Sequence, residues 1–176
     1  GLGSGVMIQG AAFGGASGNA GEFGHTTVIP GGHGCICGKN GCLETYVSVD
    51  SALRHLAARG IDVESMAAFE ERFDARHPDV APWIQAGIEP LRIGLNTIEN
   101  LFDPETIMLG GNAPGWLIDA LVEGVQPLYP SVGRHNREIP RLIKAALGRD
   151  AVSRGAAVLP LLSQLNPQYQ QLNPFA

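Results

Sequence analysis

The chain has 176 residues, 44% hydrophobic and 16% charged, with 24 glycines and a formal net charge of -5. This is a globular composition, which excludes a disordered or fibrous chain, and the acidic balance excludes general attraction to phosphate backbones or anionic lipid. No apolar run approaches the ~20 residues that span a bilayer, and no charged-then-apolar leader opens the sequence, so the expectation is a soluble protein with no membrane partner.

Residues 1–10, GLGSGVMIQG, read as a glycine loop running into a short strand, Val6 to Gln9, that stops at Gly10. The first residue is Gly1 rather than Met and lies inside that turn, so the segment is expected to be a piece of something longer. Small residues from Phe13 to Gly24 predict a loop. The β-branched run HTTVI, His25 to Ile29, predicts a second strand ended by Pro30 and Gly31-Gly32.

After a cysteine-rich loop, apolar positions at Leu43, Val47, Ala52, Leu53, Leu56 and Ala57 predict a helix to about Ala58, with Gly60 as its stop. A weaker helix is expected from Ser65 to about Arg76. A longer one follows from about Ala81 to Leu101, kinked at Pro90 and broken at Asp103-Pro104. Thr106 to Leu109 is a short strand running into Gly110-Gly111. Trp116 to about Leu128 is the next helix, Arg141 to Leu147 a strand, and Asp150 to about Leu165 a last helix that Asp150 would cap. Strands alternating with helices indicate an α/β class. One domain over 1–165 and a loosely packed tail over 166–176 are expected, and the basic residues Arg134, His135 and Arg137 read as solvated surface.

All three cysteines fall between positions 35 and 42, which suits a metal site in a reducing compartment, the cytoplasm, better than a disulfide framework. Zinc favours four tetrahedral thiolate and imidazole ligands, and Cys-x-Cys-x4-Cys in a glycine-bearing loop turns three sulfurs inward without strain. His25, Cys35, Cys37 and Cys42 are the candidate ligands, with His33 as competitor for the histidine position. The bland alternative is three buried cysteines and an unrelated histidine, but buried cysteines rarely share one polar loop. One histidine and three cysteines together close the coordination shell, so the metal is expected to be structural.

At these residues the sequence resembles the ROK family (repressor, open reading frame, kinase). The glycine loop, spacer and Gly21-Glu22-Phe23-Gly24-His25 follow its signature, and CICGKNGCLE follows its Cys-x-Cys-Gly-x-x-Gly-Cys-x-Glu zinc loop. Asp103 to Gly111 resembles its later strand ending in Gly-Gly. The resemblance implies the two-lobed actin-like (ribonuclease H-like) ATPase/sugar kinase fold, with this chain as most of the C-terminal lobe and the upstream lobe absent. It also implies that Glu22, His25 and Glu44 contact the hydroxyls of a sugar or phosphosugar. Carboxylates suit vicinal hydroxyls, and a metal-bound imidazole keeps its second nitrogen for hydrogen bonding. In kinase members, Gly1, Gly3 and Gly5 would belong to a phosphate-cradling loop and Gly110-Gly111 to the nucleoside site, with ATP and magnesium as cofactors.

Two functions follow from the resemblance: the effector-sensing domain of a sugar-responsive transcriptional regulator, or the C-terminal lobe of an ATP-dependent hexose or N-acetylhexosamine kinase. A degenerate sugar-binding protein ranks third. DNA would be bound only through a helix-turn-helix upstream, and the kinase's base and first phosphate loop would also lie upstream. GNAGEFGH, CLETYVS and RGAAVLPL look most like regulator members, and no phosphotransfer is expected of the 176 residues alone. Members are commonly homodimers or homotetramers, for which the apolar helices between Leu43 and Leu101 offer one surface and an internal core the other explanation.

Overall fold

A computed structural model describes residues 1–133, 138–148 and 150–165; the cluster of Arg134, His135 and Arg137 and the tail over 166–176 lie outside them. The first element is a small hairpin, β1 (Met7–Ile8) against β2 (Ala11–Ala12), antiparallel with Met7 opposite Ala12. Its two-residue turn, Gln9-Gly10, has both φ angles positive, 53° and 81°, the mirror-image turn whose twist matches that of paired strands. The second strand of this hairpin lies next to the segment expected to be loop, because two alanines carry no apolar alternation to announce it.

Helices dominate the middle of the chain. α1 (Glu44–Val47) and α2 (Val49–Ala57) replace the single helix expected there. The break is at Ser48, whose extended backbone (ψ 156°) ends α1 while its side-chain oxygen accepts a hydrogen bond from the Ser51 N–H. Serine competes with the helix for its own backbone and is therefore favoured as a cap. α3 (Met66–Arg72) is capped in the same way by Ser65, which accepts from the Ala68 N–H.

The longest element is α4 (Ala81–Phe102), unbroken past a buried Pro90. It ends at Asp103, which adopts a left-handed conformation (φ 41°, ψ 54°) before Pro104 and hands the chain to β3 (Ile107–Leu109). Trp83, Ile84, Ile88, Leu91 and Leu95 of α4 are buried against Leu43, Val47, Leu56 and Phe69 from the preceding segments and Leu117 and Leu121 from α5 (Gly115–Gly124). The apolar stripe between Leu43 and Leu95 thus serves this chain's own core, whereas Leu101 is exposed. At Gly94 an added Cβ would lie 2.7 Å from the Leu43 side chain and 2.8 Å from the Phe23 ring. The absence of a side chain there lets α4 lie directly beneath the loop that carries the cysteines.

β4 (Leu142–Lys144) pairs parallel with β3, Ile107 opposite Leu142, and α5 makes the crossover. α6 (Ala151–Leu165) follows. Alternation of short strands and helices fits the α/β class, but the expected strand over HTTVI is replaced by a 3-10 turn, Phe23–His25, and a single bridge between Thr27 and Cys42. Pro30 and Gly31 end the extended run before a ladder forms, and β-branched residues alone do not make a strand without a partner.

One ion pair ties the end of α4 to the sheet. Glu99, buried in the last turns of α4, receives two hydrogen bonds from the Arg141 guanidinium at 2.6 and 2.5 Å, and Arg141 donates a third to the Tyr129 carbonyl at 2.7 Å. Bidentate pairing of this kind is geometrically specific. The Glu99→Ala substitution leaves a largely shielded guanidinium without its carboxylate, and is expected to cost about 3 kcal/mol in urea denaturation; a change within experimental error would show that Arg141 is solvated without Glu99.

Candidate metal centre

The cysteine loop is a narrow hairpin closed by its own backbone. Thr27 bridges Cys42 and Gly34 bridges Asn40, the Gly41 N–H donates to the His33 carbonyl at 2.7 Å, and the Cys35 N–H donates to the Lys39 carbonyl at 2.9 Å. Gly41 is required by sterics, since its φ is +81° and an added Cβ would sit 1.6 Å from the Ile29 carbonyl oxygen. The Leu43 N–H donates to the Thr26 carbonyl at 2.9 Å, so the two arms of the hairpin deliver His25 on one side and Cys42 and Glu44 on the other.

The result is a four-residue cluster. Nδ1 of His25, at the end of the 3-10 turn, lies 3.4 Å from Cys35 Sγ, and Cys37 Sγ lies 3.6 Å from Cys42 Sγ. One ligand atom from each of the four residues falls within 4.8 Å of all the others. A tetrahedron of ~2.3 Å metal–sulfur bonds has edges of about 3.8 Å, so the spacing suits a single ion at the centre. Cys42 is buried, His25 and Cys35 are half-buried and Cys37 is exposed. The cysteines are free, not disulfide-bonded. His33 is directed elsewhere: its ring packs edge-on against Tyr46 at 4.8 Å, and its backbone N–H donates to the Tyr46 hydroxyl.

The donor chemistry points the same way. Burial pushes the Cys42 thiol up to about 12, with the neighbouring Cys37 and Cys35 sulfurs contributing to the rise. Cys37 is held below the ordinary thiol value, first by the Lys39 backbone N–H and then by hydrogen bonds from the other two thiols and the Lys39 charge. Three sulfurs this close do not ionise together without a cation between them, a charge that a divalent ion could supply.

The other edge of His25 is directed outward, with Nε2 3.6 Å from the carboxylate of Glu22, whose side chain is 65% exposed. Glu44 begins α1, and its Oε2 accepts a hydrogen bond from the Leu2 N–H at 2.9 Å. The 1–5 segment is held against this region by the Ser4 N–H, which donates to the Gly21 carbonyl at 2.8 Å. Gly1 lies against the Glu44 side chain, while Gly3 and Gly5 face open space.

Gly110 and Gly111 line a separate cavity of about 190 Å³ at the ends of β3 and β4 and the start of α5, together with Lys144 and Gly148. Gly1, Gly3 and Gly5 are not among its lining residues, so the two glycine groups are not brought together there. Lys144, paired with Asp119, and Lys39, whose ammonium donates to the His25 carbonyl at 2.6 Å, are polar residues at these sites that sequence reasoning missed. The position of Lys39 between the cysteines was the available signal; that of Lys144 depended on the parallel pairing of two three-residue strands.

The ROK family profile matches residues 1–162. An N-acetyl-D-glucosamine kinase of Pasteurella multocida is 28% identical over 173 residues, covering 90% of this chain and 55% of that protein. A xylose repressor of Bacillus spizizenii is 31% identical over 163 residues, covering 88% and 40%. The crystal structure of a ROK hexokinase from Thermus thermophilus superposes with a TM-score of 0.67 at 32% identity, over 89% of this chain and 52% of that one. The chain spans about half the length of the curated relatives it matches. With a family profile over nearly all its described length and the actin-like α/β sugar kinase fold of its structural neighbours, the chain belongs to the ROK family.

Proposed function

We propose that this chain is the sugar-recognition lobe of a ROK transcriptional regulator, in which a structural zinc ion held by His25, Cys35, Cys37 and Cys42 orders the loop that presents Glu22, His25 and Glu44 to a sugar or phosphosugar. The observation that carries the reading is the two-sided placement of His25, with Nδ1 among the sulfurs and Nε2 beside the Glu22 carboxylate. Zinc supplies the positive charge that lets three thiolates share one small volume. His25 then keeps a proton on Nε2, which makes it a donor toward a sugar oxygen, while Glu22 and Glu44 accept from hydroxyls. One oxygen of Glu44 is already taken by the Leu2 N–H, so Oε1 is left for the ligand and the carboxylate orientation is fixed before binding.

The regulator reading is supported by the wording of GNAGEFGH, CLETYVS and RGAAVLPL and by the xylose repressor among the relatives. DNA binding then belongs to a helix-turn-helix outside this chain, in a cytoplasmic protein that assembles as a homodimer or homotetramer. A second reading, the C-terminal lobe of an ATP-dependent sugar kinase, is favoured by the cavity at Gly110-Gly111, which lies at the carboxyl ends of two parallel strands where α/β proteins often bind ligands. In that case ATP and magnesium are the cofactors, and Gly1, Gly3 and Gly5 serve the phosphates.

Elemental analysis is expected to find one zinc per chain, and Cys37→Ser to abolish it together with the metal-dependent part of the melting temperature; undiminished zinc in that variant contradicts the ligand set. Glu44→Gln in the intact protein is expected to weaken sugar binding roughly tenfold, about 1.4 kcal/mol, in calorimetry, with the melting temperature unchanged. Equal losses in both would make Glu44 a structural residue. Release of the protein from its own promoter fragment by sugar, without phosphorylation of hexoses by MgATP, is the outcome expected of a regulator, and turnover of MgATP with sugar reverses that assignment.

A further inference from the structure

Lys39 is the only lysine or arginine before Arg54, and it stands between the second and third cysteines of the loop. Two of its polar groups touch different members of the cluster. The ammonium donates to the His25 carbonyl at 2.6 Å, and the backbone carbonyl accepts from the Cys35 N–H at 2.9 Å. The His25 carbonyl also accepts the Cys42 thiol at 3.5 Å, so the lysine ammonium and the Cys42 thiol meet on one oxygen.

Charge gives this arrangement a purpose. Three thiolates and a neutral imidazole around a divalent ion leave one net negative charge, at the edge of a chain region whose other charged side chains up to Arg54 are acidic. The ammonium supplies the single opposite charge, and it does so on the backbone of the residue whose ring links the metal side to Glu22. Groups that contact ligands without binding the metal fix ligand orientation and tune affinity.

We propose that Lys39 is a positioning residue of this centre: its ammonium is the built-in counter-charge of the metal–thiolate cluster and holds His25 by its carbonyl, so that Nδ1 is directed to the ion and Nε2 to the ligand side. The inference rests on the reading of the cluster as a zinc site. Because the contact to Cys35 is made by the Lys39 backbone carbonyl, a side-chain substitution removes the ammonium alone.

The test compares the intact protein with Lys39→Met, which keeps the aliphatic stem, and Lys39→Arg, which keeps the charge. Zinc affinity is measured by chelator competition, the cobalt-substituted absorption spectrum is recorded for ligand geometry, and melting is followed for the metal-free forms. Lys39→Met is expected to bind zinc roughly 10–100-fold more weakly with an altered cobalt spectrum, Lys39→Arg to recover most of the affinity, and all three metal-free forms to melt together. Zinc affinity of Lys39→Met within about twofold of the parent, no recovery in Lys39→Arg, or a metal-free form of Lys39→Met that melts lower by as much as the loaded one would each overturn the proposal. A parent protein that takes up no zinc removes the zinc reading and this inference with it, whereas a zinc-loaded parent and an equally tight Lys39→Met remove this inference only.

Discussion

Three sulfurs and one imidazole nitrogen are gathered within 4.8 Å in a loop whose Ile36, between the first two cysteines, is 94% exposed. Side chains of this kind repel one another once ionised and gain little from packing when neutral, so their convergence has to be imposed by the backbone. The hairpin does this with two bridges and a run of short hydrogen bonds, and with Gly41 in a conformation and a space that no other residue fits. The orientation of His25, and through it the relation between the cluster and Glu22, depends on that imposed geometry.

Beneath the loop, the hydrophobic core supplies the stiffness the loop lacks. Leu43 is fully buried and lies directly between Cys42 and Glu44 in the chain, while Phe23, between Glu22 and His25, packs with it on α4 at Gly94. Each of these polar residues therefore has an apolar anchor close to it in sequence. Burial of a leucine side chain stabilises by ~1.5–3 kcal/mol, enough to hold a neighbouring carboxylate or thiol in place where hydrogen bonds on an exposed loop would not.

How much of this was legible depended on how local the signal was. The cysteine spacing, the Glu-x-x-His pair and the glutamate after the last cysteine are contiguous patterns, and the structure brings His25 and the cysteines together while directing His33 to Tyr46. The long amphipathic run, expected to Leu101 and observed to Phe102, and its stop at Asp103-Pro104 were equally plain. What escaped were features set by partners distant in sequence or by single local bonds: HTTVI lacked a neighbouring strand, Ser48 cut one helix into two by capping the second, and Ala11–Ala12 became a strand only because Gln9-Gly10 folded it back. The Glu99–Arg141 pair joins residues far apart in the chain, and nothing in either segment predicts the other.

That pair gives α4 a further property. Gly94, where the cysteine loop rests, and Glu99, which holds Arg141 just before β4, are separated by about 1.4 helical turns, about 7.5 Å along the axis. The helix is thus a common beam with the cysteine loop seated at one point and the strand leading to the Gly110-Gly111 cavity bolted at the next. The two regions therefore share one support, and neither is anchored independently of that helix.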